Sequence, residues 1–111
     1  MKVSVVLCTY TLDMYEHFRE AANSVLNQTH DDVELIVVVD GTPEVYDRVK
    51  ADYDDRDEVI VSCNDKNRGL LASRNRGAEL ATGDVVAFID DDAIADKEWI
   101  GNLVRAYEEE D

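Results

Sequence analysis

Lysine is nearly absent from this chain. Its 111 residues hold four lysines and seven arginines against 26 acids, for a formal net charge of -15. A field of that sign repels DNA, RNA and anionic lipid headgroups, so nucleic acid is not an expected partner. Proline occurs once, at Pro43, and glycine only five times. No Pro/Gly linker divides the chain, and one domain over residues 1–111 is expected. No apolar run approaches the roughly 18 residues of a membrane span, and no signal peptide precedes the first apolar stretch, so a cytoplasmic location is expected. Cysteine is limited to Cys8 and Cys63. The fold argued below sets these at the ends of strands separated by another strand, about 9 to 10 Å apart, too far for a disulfide; free thiols are expected. Histidine is as sparse: His17 and His30 have no second ligand at metal-binding spacing and read as surface residues.

What is present in excess is aspartate, sixteen of 111 residues, spread along the chain rather than gathered in a tail. That distribution describes an acidic, solvated surface on a folded protein. With lysine scarce, it matches proteins of salt-loving organisms, and stability that rises with salt is expected.

Four β-rich apolar runs alternate with helical patterns: Val3–Leu7, Val33–Val39, Glu58–Cys63 and Val85–Ile89. Asp13 is placed to cap a helix running to about Gln28, with Met14, Phe18, Ala21, Ala22, Val25 and Leu26 on its buried face. Thr42, Pro43 and Glu44 read as cap, first helical position and first-turn acid of a helix to Tyr53, with Val45, Val49 and Tyr53 inward. A helix from Leu70 to Ala81 is expected to stack Leu71, Asn75 and Ala78 on one face, with Gly83 as its C-cap. Asp96 caps a final helix whose apolar side carries Trp99, Ile100, Leu103, Val104 and Tyr107, before the acidic end Glu108–Asp111. Strands alternating with helices imply a doubly wound α/β fold, mainly parallel, with helices on both faces and strand order 3-2-1-4.

Ligands of such sheets gather outside the carboxyl ends of the strands, at the switch point between strands one and four. Three polar clusters converge there: Thr9 and Tyr10 after strand one, Asp40 after strand two, and Asp90, Asp91 and Asp92 after strand four. The last strand is read as covered on both faces and as delivering its carboxylates to the mouth. Crowded carboxylates repel one another unless a cation sits among them, and hard oxygens suit Mg²⁺ or Mn²⁺. An aromatic ring, hydrogen-bonding groups and a metal-ready carboxylate set suit a nucleoside diphosphate, with a divalent ion bridging Asp92 to phosphate oxygens.

Five segments in order, Ser4–Tyr10, Ser24–Gln28, Glu34–Thr42, Asn67–Gly77 and Thr82–Asp92, resemble the successive motifs of the inverting family 2 glycosyltransferases, which have the GT-A fold. The resemblance covers essentially the whole chain. It implies that Thr9 and Tyr10 contact the nucleobase, that Asp40 hydrogen-bonds it, and that Arg74 lies near base and phosphates while Asn75 is structural. It implies that Asp90–Asp92 form the DxD-type motif, with Asp92 the direct metal ligand and Asp90 and Asp91 nearer ribose and sugar, Asp90 also being a candidate ligand. It further implies a UDP- or GDP-sugar donor, Mg²⁺ or Mn²⁺, and a hydroxyl or polyprenyl-phosphate acceptor at the cytoplasmic face of the membrane. In that family the general base and much of the acceptor site come from sequence beyond this point. The chain is therefore expected to be the nucleotide-sugar-binding part of a transferase, inactive alone, with strand four as an exposed edge through which copies could pair.

Two other classes share the fold type. A Rossmann dehydrogenase needs a Gly-rich turn after strand one, and Cys8–Asp13 holds no glycine. A Mg²⁺-binding phosphate-receiver signalling domain is the non-enzyme alternative, but its acids would follow strand one and its phospho-acceptor strand three, where this chain has Cys8-Thr9-Tyr10 and Cys63-Asn64. A nucleotidyltransferase of similar fold is the remaining alternative, and lacks here its Gly-rich, basic loop.

Overall fold

The computed structural model describes residues 1–109; Glu110 and Asp111 of the acidic end lie outside the described residues. Four strands, β1 (Val3–Thr9), β2 (Val33–Val39), β3 (Val59–Cys63) and β4 (Val85–Ile89), alternate with four helices, α1 (Tyr15–Leu26), α2 (Pro43–Tyr53), α3 (Leu70–Leu80) and α4 (Trp99–Glu109). All pairings are parallel and the order is β3-β2-β1-β4, as expected. The register sets Val5 against Leu35 on one side and Ala87 on the other.

Strand alternation sends side chains to two faces. Val3, Val5, Leu7, Leu35, Val37 and Val39 meet Phe18, Ala22 and Val25 of α1, Val45 and Val49 of α2, and Ile100 and Val104 of α4. The opposite face, Val6, Ile36 and Val38, is covered by α3 through Leu80 and Ala81 at its end. Cys8 packs on this second face and Cys63 on the first, with β2 between them, and both thiols are free.

Several local expectations are corrected. β1 continues past Leu7 through Cys8 and Thr9, which pair with Val38 and Val39, so Thr9 closes the strand rather than following it. Asp13 caps nothing: Thr11 is the cap of a short 3-10 turn, Leu12–Met14, its hydroxyl accepting from the Asp13 N–H, and α1 starts at Tyr15. Tyr15 is buried, its hydroxyl donating to Asp52 at 2.5 Å under the Arg48 guanidinium. Thr42 does precede α2, but its hydroxyl donates to the Tyr10 carbonyl at 2.6 Å rather than capping the helix.

The expected face of α3 is the wrong one. Leu71, Asn75 and Ala78 face solvent, Leu71 at 75% exposure, while Ser73 and Gly77 are buried. The physical reason is proximity: a Cβ on Gly77 would lie 2.3 Å from Val6 Cγ1, so α3 approaches β1 too closely for anything but small residues. Gly83 is no C-cap either; α3 ends on Ala81 in an extended conformation. A Cβ at Gly83 would meet Ser4 Oγ at 2.7 Å. That turn is fastened by buried Glu34, which accepts from Ser4 Oγ (2.7 Å), Thr82 N (3.0 Å) and Thr82 Oγ1 (2.8 Å).

β4 is not covered on both faces. It is an edge strand with Ala87 buried and Val86 and Phe88 36% and 44% exposed, because α3 packs chiefly over β1 and β2 and meets β4 through the Arg74 side chain over Phe88. At the end of the chain Asp96 accepts from the Glu98 N–H just before α4, and Tyr107 is half exposed instead of packed.

Candidate nucleotide site

The carboxyl ends of β1, β2 and β4 border a cavity of about 480 Å³, within the usual range for a small-molecule site. All the residues singled out from sequence line it: Thr9, Tyr10, Asp40, Arg74, Asp90, Asp91 and Asp92. The sequence reading missed a fourth wall. The β3–α3 loop and first turns of α3 contribute Asn67, Gly69, Leu70 and Ser73. The signal for them lay in the Asn67–Gly77 segment and in the rule that helix N-termini of α/β sheets face the same mouth.

Asp40 is only 7% exposed and binds that loop. Its Oδ1 accepts from Asn64 Nδ2 (2.9 Å) and the Arg68 N–H (2.8 Å), and its Oδ2 from the Gly69 N–H (2.9 Å). Gly69 stands at the N-cap of α3 without a side chain to cap it, so a carboxylate 29 residues earlier does the capping and meets the positive end of the helix. Burial pushes the Asp40 carboxyl up, but these donors outweigh it and hold it below the usual range. Gly41 permits the approach: its φ is +74°, and a Cβ there would lie 2.3 Å from the Asn67 nitrogen.

Across the mouth, Arg74 on α3 pairs with Asp90 after β4 at 3.0 Å and lies over the Phe88 ring. Asp91 is half-buried, and burial first, then Asp92 and Asp90, push its carboxyl above the usual range. Thr9 Oγ1 is buried and has no hydrogen-bond partner among the described residues. Tyr10 is 57% exposed, its ring free at the rim. Burial pushes the Cys8 thiol, also in the wall, up to about 11, which keeps it protonated and inert.

Among the described residues no three Asp, Glu, His or Cys side chains are placed to hold a metal ion together. Asp90 is already engaged by Arg74, leaving Asp92 exposed beside it. Such a donor set does not fit a metal caged by protein. It does fit Mg²⁺ or Mn²⁺ carried by a ligand's phosphates, since such ions take one or two carboxylates and complete their shell with phosphate and water.

A sequence model of glycosyl transferase family 2 matches residues 4–111. The chain belongs to that family. Among relatives of this family 2 chain, the glucosyl-dolichyl phosphate glucuronosyltransferase of Haloferax volcanii is 57% identical over 108 residues, covering 97% of this chain and 34% of that protein. Glycosyltransferase GlyA of Streptococcus pneumoniae is 27% identical over 104 residues, 94% of this chain and 15% of GlyA. The crystal structure of S. aureus TarS 1-349 in complex with UDP-GlcNAc superposes with a TM-score of 0.85 at 27% identity, over 98% of this chain and 32% of TarS 1-349. The chain spans about a third or less of the length of these proteins. The family and the GT-A fold expected from the motifs are thereby established.

Proposed function

We propose that this chain binds a UDP- or GDP-sugar together with Mg²⁺ or Mn²⁺, and that the protein it belongs to transfers the sugar, with inversion, to a hydroxyl or polyprenyl-phosphate acceptor. One observation carries the reading: residues of four of the five motif segments, all but Ser24–Gln28, line one cavity at the strand ends, in a fold shared with a protein crystallised with UDP-GlcNAc. The relative whose name includes glucosyl-dolichyl phosphate supports the lipid-linked acceptor, and with it a place at the cytoplasmic membrane face.

In this proposal the nucleobase packs on the exposed Tyr10 ring. An ionised carboxylate has about four acceptor positions; three of those on Asp40 are taken by protein donors, and the fourth accepts an N–H of the base. The unpartnered Thr9 hydroxyl gains a ligand hydrogen bond. Arg74 turns from Asp90 to the diphosphate, a doubly charged partner. Asp92, with Asp90 once released, holds the cation, and Asp91 lies toward ribose and sugar. A bound cation offsets charge on the departing diphosphate and relieves the repulsion that raises Asp91. No described residue is assigned as the base that deprotonates the acceptor. Pairing of two copies through the free edge of β4 belongs to the same proposal.

The test is calorimetric titration of UDP and of GDP in molar KCl, with and without Mn²⁺, on the wild-type chain and on Asp92→Ala. Saturable, Mn²⁺-dependent binding of one nucleotide, lost in the variant, is the expected outcome. Folded wild-type protein that binds neither overturns the reading for this chain.

A further inference from the structure

Asn64 directly follows β3 and lies outside the cavity lining, yet its side chain touches two residues that are in it. Its amide donates to Asp40 Oδ1 at 2.9 Å and to Ser73 Oγ at 3.0 Å. A turn asparagine ordinarily bonds its own backbone within two residues; this one reaches partners 24 and 9 positions away. Its backbone N–H is also fixed, donating to the Val39 carbonyl at 2.9 Å. Both donors of the amide are thus spent on one carboxylate and one buried hydroxyl.

We propose that Asn64 is a positioning residue of the nucleotide site, acting through Asp40 and Ser73 and touching neither nucleotide nor cation. The backbone N–H groups of Arg68 and Gly69 hold the Asp40 carboxylate from the α3 side only. Asn64 holds it from β3, so the plane of the carboxylate, and with it the acceptor position left for a ligand, cannot rotate freely. Ser73 directly precedes Arg74 and is fully buried. A hydrogen bond from Asn64 to Ser73 Oγ therefore also fixes the rotation of α3 that aims Arg74 across the mouth toward Asp90. One side chain behind the wall sets two groups that face the ligand from opposite sides. The inference rests on the nucleotide reading above.

The experiment compares the wild-type chain with Asn64→Leu, which removes both donors at similar volume, and Asn64→His, whose ring nitrogen restores one. UDP and GDP are titrated with Mn²⁺ in molar KCl. On the same samples, NMR follows the Asp40 carboxylate carbon and amide hydrogen exchange at Arg68 and Gly69. Asn64→Leu is expected to move the Asp40 resonance, to speed exchange at both amides and to weaken nucleotide affinity about tenfold, the scale of a hydrogen bond to a charged group. Asn64→His regains part of each change. Unmoved resonances in Asn64→Leu, or moved resonances with wild-type affinity, overturn the inference while leaving the site reading intact. Wild-type protein that takes up no nucleotide sinks the site reading itself, whatever the resonances show. Should Asn64→Leu fail to fold, Asn64→Ser, with a shorter single donor, carries the same comparison.

Discussion

Two buried carboxylates with opposite duties share one chemical signature. Asp40 binds loop to strand at the mouth, and Glu34 binds the α3–β4 turn to β1 and β2 at the other end of the sheet. Both are held below their ordinary range because donated hydrogen bonds outweigh burial. A depressed folded value means that the unfolded chain takes up protons first on acidification. The stability these groups give is present above the ordinary carboxylate range, near pH 4, and is lost as pH falls through their folded values. Asp91, raised in the folded chain, costs stability at neutral pH and is relieved by acid. Thermal melts in molar KCl, where general repulsion is screened, should therefore lose stability between about pH 5 and pH 3. Asp40→Asn should start lower at pH 7 and lose less over the same interval. An identical pH slope in the variant would show that Asp40 is not held by these donors.

At the scale of elements, α3 decides the geometry of the site. It presents Arg74 and Ser73 to the cavity, receives Asp40 at its N-terminus, and lies against Val6 through Gly77. Alanine is the better helix former by about 1 kcal/mol, but at Gly77 its methyl group would force the helix away from β1. Gly77→Ala is expected to destabilise by about 1 to 3 kcal/mol, as overpacking does, and to weaken nucleotide binding by shifting Arg74. Leu71→Glu, on the side that apolar content alone marks as inward, should stay within about 0.5 kcal/mol of wild type, as exposed positions do. Urea midpoints of the two variants give the comparison; a costly Leu71→Glu would place that residue in a core.

For the molecule as a whole, a charge of -15 spread over a small domain is a self-repulsion that salt screens. The melting temperature should rise markedly from dilute buffer to molar KCl, and equal values in the two would remove the case for salt adaptation that the composition makes. The same charge opposes association, so pairing of copies through the open edge of β4, with Val86 and Phe88 beside it, should also strengthen with salt. Sedimentation of Phe88→Lys against wild type in molar KCl checks this: dimers in wild type that persist unchanged in the variant would place the contact elsewhere.

Element order, strand limits to within two residues and the sheet order were legible in the sequence, because apolar runs and their punctuation record how each segment must be buried. That six of the seven candidate residues would converge on one mouth was legible too, since they close a strand or directly follow one; Arg74, in the second turn of α3, was marked only by the motif resemblance. Other features were decided only by tertiary contact. The inward face of α3 is chosen by how closely β1 approaches, which favours Ser73 and Gly77 over larger and more apolar neighbours. β4 is half open because of which strands α3 happens to cross. Asp40 is a helix cap only because β2 and β3 end where α3 begins, bringing Asn64, Arg68 and Gly69 to a carboxylate far from them in sequence. Periodicity states how apolar a position is; it carries no record of which backbone comes near.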